Sequence, residues 1–144
     1  MVRKATEKDA PTLAEMAAQL WEGHDIPTLE EEFAEALTDS RTAFFICYPA
    51  GEAVGFAQCA LRTDYVEGTE SSPVGYLEGI FVKPAHRKKG YARQLVGACE
   101  LWAKALGCSE FASDCELDNL ASLKFHIAMG FAEANRIICF KKSL

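Results

Sequence analysis

The chain has 144 residues, 49% of them hydrophobic and 25% charged, which is enough for one globular core and too balanced for a disordered or fibrous chain. Its 21 acidic and 15 basic side chains leave a net charge of −6, a poor field for nucleic acid. The imbalance is divided: residues 1–78 hold 15 acidic and 5 basic side chains, whereas residues 79–144 hold 6 and 10.

Residues 2–5 predict a short strand. Thr6 then stands as a helix N-cap with Asp9 at capping-box distance and Pro11 in the first turn. Leu13, Met16, Ala17, Leu20 and Trp21 follow at helical spacing, and the run from Glu22 to Pro27 breaks that helix. Thr28 is expected to cap a second helix carrying Leu29, Phe33 and Leu37 on one face. Thr42–Tyr48 and Ala53–Arg62 read as strands joined by the Pro49–Glu52 turn, a hairpin. Residues 63–73 are polar and read as a loop. Val74–Val82 is a third long apolar strand, followed by the basic turn His86–Gly90 and a helix from Tyr91 to Leu106 that Gly107 ends. Glu110–Ser113 reads as a short strand, Asn119–Met129 as a helix closed by Gly130, and Phe131–Lys142 as a closing pair of strands. This order predicts a single α/β domain over 1–144, its central sheet mixed but mainly antiparallel and flanked by helices. It does not alternate strictly enough for a doubly wound parallel sheet.

No apolar leader opens the chain and no stretch approaches the ~18 apolar residues of a membrane span, so a cytoplasmic protein is expected. Cys47, Cys59, Cys99, Cys108, Cys115 and Cys139 form no Cys-x-x-Cys pair, and no His lies at ligand spacing beside them. They read as small buried hydrophobes, with neither a metal site nor disulfides expected.

The segment with most chemistry joins the third long strand to the long helix. Arg87, Lys88 and Lys89 are basic, Gly90 permits close backbone approach, and a helix N-terminus offers free N–H groups to a phosphate. Neither the nucleotide P-loop pattern nor the dinucleotide fingerprint is present. A solvated basic turn is the plain alternative.

These residues, Arg87-Lys88-Lys89-Gly90-Tyr91-Ala92, resemble the pyrophosphate loop of the GNAT family of acetyl-CoA-dependent N-acetyltransferases. A second family signature is matched by Asn119, Phe125, His126, Gly130 and Phe131. The resemblance implies a GNAT fold whose middle strands splay to admit acetyl-CoA. It implies that Ile80, Phe81 and Val82 expose backbone to the pantetheine arm, that Arg87, Lys88, Lys89, Gly90, Tyr91 and Ala92 wrap the pyrophosphate, and that Asn119 bonds the cofactor arm. His126 stands where many members carry a tyrosine thought to protonate the departing thiolate. It is either a proton donor or a residue lining the cofactor channel.

Further blocks resemble the aminoglycoside 6′-N-acetyltransferases: Gln19–His24, Asp64–Gly68, Ser71–Val74, Leu77–Val82 and Ala112–Asp114. That likeness implies antibiotic resistance as the outcome, and Trp21, His24, Tyr65, Glu78 and Asp114 as acceptor contacts. The chemistry is apt, because a polycationic sugar needs carboxylates and aromatic faces. Trp21 also reads as a core residue, and Tyr65 as loop packing. Asn135 stands where relatives carry a further carboxylate, with Glu133 nearby as a substitute. Glu78, with Asp114 second, is the expected base for direct transfer in a ternary complex, and a backbone N–H of Ile80–Val82 is expected to hold the oxyanion. Other acceptors, such as a small polyamine or a protein amine, and a non-catalytic CoA-binding module are the rival readings. Relatives are commonly dimers, and the run Ile137–Phe140 is a candidate edge strand between two copies, making a homodimer the expected assembly.

Overall fold

The computed structural model describes all of residues 1–144. Strand β1 (Val2–Lys4) leads into helices α1 (Ala10–Leu20) and α2 (Ile26–Ala36). Strands β2 (Thr42–Cys47), β3 (Gly55–Arg62) and β4 (Val74–Val82) follow, then helix α3 (Tyr91–Ala105), strand β5 (Phe111–Ala112) and helix α4 (Leu120–Ala128). The strands form one sheet in chain order, antiparallel from β1 through β4, with β5 added parallel to β4.

Thr6 caps not α1 itself but a short 3-10 turn (Glu7–Asp9) ahead of it, with Asp9 accepting from the Thr6 backbone N–H at 2.8 Å, and Asp9 is the residue at the α1 N-cap. The second helix is capped differently. Asp25, not Thr28, is the N-cap, and its carboxylate accepts from the Thr28 backbone N–H at 3.0 Å and from the Thr28 hydroxyl. Asp ranks above Thr as a cap, and Pro27 suits the first turn that results.

Two cores lie on opposite faces of the sheet. On one, α1 and α2 pack Leu13, Met16 and Phe33 against Phe44, Ile46, Phe56 and Phe81. On the other, α3 packs Leu95, Val96 and Cys99 against Phe45, Ala57, Cys59 and Leu77. Phe44 and Phe56 are fully buried, so truncating either to Ala costs about 3–5 kcal/mol.

Strand β4 does not run in a single phase. Gln58 pairs with Gly79 but Cys59 pairs with Leu77, leaving Glu78 as an extra residue, a β-bulge. Before the bulge, Gly75 and Leu77 face α3 while Tyr76 faces away; after it, Gly79 and Phe81 turn toward α1. The bulge therefore sets Glu78 and Gly79 together on the α1 side.

Pairing between β4 and β5 covers only Gly75 with Phe111 and Tyr76 with Ala112. Beyond them the strands part, so the expected splay is present. Residues 131–144 carry no regular structure, against the expected closing pair of strands. Their alternating apolar residues have strand propensity, but a strand exists only through a ladder partner, and Ile138 and Phe140 stand 78% and 90% exposed. Four cysteines are buried as expected; Cys115 and Cys139 are exposed because they fall in irregular segments after β5 and in the tail.

Candidate active site

Glu78 and Asp114 reach the same face from opposite sides of the splay. Asp114 continues β5 on the face of Tyr76, whose phenol donates to the Asp114 carboxylate. Tyr76 is buried beside Val66 and Val74, and that burial, helped by Asp114, holds its hydroxyl protonated well above the ordinary tyrosine range. Glu78 is held by Arg62, whose Nε and Nη2 lie 3.1 and 3.0 Å from Oε1, with Nη2 also 2.9 Å from Oε2. The Arg62 guanidinium lies 3.4 Å above the Tyr76 ring centre. Glu78, Arg62, Tyr76 and Asp114 thus form one continuous polar chain.

Trp21 packs on the α1-side core, as one of its two readings expects. It caps the end of α1, contacts Phe33 and Phe56 edge-on at 6.3 Å, and lies over Gly79 beside Glu78. His24 is exposed in the turn after α1, and Tyr65 is 77% exposed on the loop of residues 63–73, not packed within it. That loop is anchored by Glu110, which accepts from the backbone N–H groups of Glu70 and Ser71, each at 2.9 Å. Its Ser71 hydroxyl bond is the main reason the Glu110 carboxyl sits below its usual range.

Asn135 comes to this loop from the tail. Its Nδ2 donates to Glu67 Oε1 at 2.6 Å. Glu133, the substitute expected for the missing carboxylate, is taken up by an ion pair with Arg136. The carboxylate that adjoins Asn135 is Glu67, on a different segment.

The opposite side of the splay presents the basic turn and the start of α3. Lys88 and Gly90 both adopt left-handed backbone, φ 61° and 85°, which turns the chain sharply into α3. No side chain caps α3, and Arg87, Lys88 and Lys89 are exposed around its first turn. Tyr91 and Ala92 open the helix with partly buried side chains packed on the α3-side core. Free N–H groups, a positive helix end and three cations suit a pyrophosphate. Arg87 does more than line the loop: its Nε donates to the Val82 carbonyl at 2.8 Å, tying the loop to the end of β4.

Between those ends, Ile80, Phe81 and Val82 lie where β4 has parted from β5. Ile80 and Val82 face the α3 core and Phe81 the α1 core, so their backbone, not their side chains, borders the splay. Ser113 bridges the start of the gap, its hydroxyl 3.2 Å from the Leu77 carbonyl. His126 meets Ser113 from α4, with Nε2 2.8 Å from Ser113 Oγ and Nδ1 2.7 Å from the Ser122 carbonyl. A carbonyl only accepts, so that partner assigns a proton to Nδ1, while the single hydroxyl proton of Ser113 can serve either the Leu77 carbonyl or His126 Nε2 but not both. Asn119 caps α4, its Oδ1 accepting from the Ser122 N–H at 3.1 Å, which leaves its amide group as the free donor.

Arg62 and Tyr76 lie outside every motif and block singled out in the sequence, and Glu67 and Ser113 fall inside quoted blocks without a role of their own. Arg62 reads as a strand end and Tyr76 as one more apolar position. The one available signal was Gly79 inside an apolar strand, which marks a bulge or a close approach.

Residues 10–131 match the model of the acetyltransferase (GNAT) family. An aminoglycoside N(6′)-acetyltransferase type 1 of Stenotrophomonas maltophilia is 42% identical over 144 residues, 99% of this chain and 93% of the relative. The protein of the same name from Salmonella typhimurium is 44% identical over 86% of each chain. Among solved structures, AAC(6′)-Iy bound to the bisubstrate analogue CoA-S-monomethyl-acetylneamine superposes with a TM-score of 0.95 at 39% identity, covering 100% of this chain and 98% of that one. The aminoglycoside 6′-N-acetyltransferase AAC(6′)-Ih of Acinetobacter baumannii gives a TM-score of 0.94 at 36% identity, covering 100% and 98%. With its splayed sheet and basic, glycine-turned helix start matched along most of its length, the chain belongs to the GNAT acetyltransferase family.

Proposed function

We propose that this chain transfers an acetyl group from acetyl-CoA to the 6′-amine of aminoglycosides, in a single catalytic domain, and so confers resistance to them. The observation that carries this reading is the placement of Glu78. The bulge puts this carboxylate on the α1 face, beside Trp21 and across from Asp114, at the level where β4 parts from β5. A cationic acceptor on one face and an anionic thioester in the splay would meet there. Relatives matched over most of their length are named for this reaction.

Acetyl-CoA supplies the thioester, and the chain supplies position and proton handling. The α3 N-terminus with Arg87, Lys88, Lys89 and Gly90 holds the pyrophosphate. The backbone of Ile80–Val82, paired to β3 on one side and without a strand partner on the other, lies alongside the arm, and the amide group of Asn119 and His126 border it from α4. A backbone N–H of that strand faces the thioester oxygen as negative charge develops. Trp21, His24, Tyr65, Asp114 and Asn135 receive the acceptor. Its reacting group arrives as ammonium, and Glu78, directly or through water, takes the proton that makes the amine nucleophilic. Direct attack in the ternary complex then needs no covalent enzyme intermediate.

The chain is proposed to work in the cytoplasm, where acetyl-CoA is available and six free thiols remain reduced. It is also proposed to pair with a second copy through residues 137–140, whose apolar side chains lack cover. Thiol release from acetyl-CoA with and without kanamycin or tobramycin tests the activity. Acceptor-dependent release that Glu78→Gln abolishes is the expected result. Release with simple polyamines or peptides but not aminoglycosides would reassign the acceptor, and binding of acetyl-CoA without any release would reject the enzyme. Sedimentation at micromolar concentration tests the dimer, which a monomer would rule out.

A further inference from the structure

The carboxylate proposed as the base is already engaged by a cation. Arg62 closes β3, and its alternation places it on the face of Tyr76 and Glu78. Its guanidinium meets both Glu78 oxygens, at 3.0 and 2.9 Å from Nη2, and its central carbon lies 3.4 Å from the Tyr76 ring centre. Through the Tyr76 phenol the same assembly extends to Asp114. One positive charge therefore connects the two carboxylates of the acceptor face.

This assembly has the make-up of a cation site: a carboxylate in front, an aromatic face beneath, and a second carboxylate beyond. Packing does not account for it. The Arg62 side chain is 42% exposed and that of Glu78 27%, and Arg62 has no part in either core. An ion pair so exposed is weak and readily exchanged. While it lasts, however, the Glu78 oxygens are occupied by donors that cannot give up a proton at neutral pH.

We propose that Arg62 is an internal stand-in for the acceptor's ammonium group. It fills the cation site of the free enzyme and swings out when a polycation delivers its own charge to Glu78. Exchange conserves charge at the carboxylate, so the site never carries a bare pair of anions. It also sets a threshold: an acceptor with several positive charges competes well, and one with a single charge competes poorly. Arg62 is thus a specificity-determining residue acting through Glu78. This inference rests on the proposed aminoglycoside reading and adds the selection of charge to it.

The test is steady-state kinetics at saturating acetyl-CoA for wild type, Arg62→Gln and Arg62→Lys, with tobramycin and with benzylamine as a monocationic amine. Arg62→Gln should lower KM for tobramycin about threefold or more, leave KM for acetyl-CoA unchanged, and raise kcat/KM more for benzylamine than for tobramycin. Free guanidinium chloride at about 50 mM, against sodium chloride at the same ionic strength, should inhibit Arg62→Gln competitively with the acceptor and scarcely affect wild type. Arg62→Lys, which keeps the charge but loses the second nitrogen on Oε1 and the planar group over Tyr76, should fall between the two. An unchanged or raised tobramycin KM in Arg62→Gln, or a lowered kcat that Arg62→Lys restores, would show a fixed support for Glu78 and overturn the proposal. Failure of Arg62→Gln to fold, with Arg62→Lys kinetically like wild type, would overturn it equally. A wild type that turns over no aminoglycoside would remove the underlying reading first, an outcome distinguishable because it appears before any variant is compared.

Discussion

Trp21 occupies the space that a side chain on Gly79 would need. A methyl group on Gly79 would lie 2.5 Å from Trp21 Cζ2 and 2.8 Å from Cη2, well inside contact distance. Gly79→Ala should therefore push the indole off the bulge, costing about 1–3 kcal/mol of stability and raising the acceptor KM. The same change on a Trp21→Phe background should cost less, because the shorter ring leaves the space. Additive losses in thermal unfolding would disprove the contact.

Tyr76 fixes Asp114 through its hydroxyl and carries Arg62 on its ring. Tyr76→Phe keeps the ring and removes only the donor. Asp114 is exposed and can turn to water, so stability should fall by no more than about 0.5–1.5 kcal/mol. If Asp114 receives the acceptor as proposed, the acceptor KM should rise severalfold while the acetyl-CoA KM stays put. An equal rise in both would mean that Tyr76 supports the splay as a whole.

Asp9 governs the acid limb of stability. Paired with Arg3 at 2.8 Å and capped by the Thr6 N–H, its carboxyl is lowered from 3.8 to about 2, the Arg3 hydrogen bond being the largest cause. A carboxylate lowered on folding contributes stability above its unfolded pKa and loses it as the pH falls through the folded one. That contribution should be complete above about pH 4 and fade toward pH 2, amounting to about 2 kcal/mol. Asp9→Asn should be destabilised by roughly that amount at pH 7 and show a flatter denaturation profile between pH 4 and 2. Parallel profiles for the two proteins would remove Asp9 from this role.

The bond from Asn135 to Glu67 joins the tail to the acceptor loop. Glu67→Ala should raise the acceptor KM severalfold, removing both a carboxylate and the partner of Asn135. Asn135→Asp should set two like charges against each other and loosen the loop, which faster amide exchange across residues 63–70 would reveal. Unchanged exchange would mean that the tail does not hold the loop.

Periodicity was enough to locate the helices and the three longer strands, because each buries one face against a defined core. It failed where structure depends on a partner. Ile137, Ile138 and Phe140 look like a strand, yet a strand is a relation between two segments, and this chain offers the tail no ladder. The motif around Gly90 was legible because a left-handed turn into a helix has few sequence solutions. The Arg62–Glu78 pair was not, since it joins residues 16 positions apart through a register that the bulge shifts. Likewise, Asn135 was noticed for a charge it lacks, but its contact with Glu67 depends on where the tail crosses the loop.

Removing Glu78 from β4 would leave Tyr76, Leu77, Gly79, Ile80, Phe81 and Val82 in unbroken alternation, each still directed at the core it now faces. The carboxylate is in this sense an insertion: the strand needs no such residue, and the ladder is interrupted to admit it. A one-residue deletion at this point should therefore give a protein that folds, keeps the helix start around Gly90, and lacks the carboxylate proposed as the base. Catalytic capacity in this chain would then amount to a single indel, separable from the architecture that surrounds it.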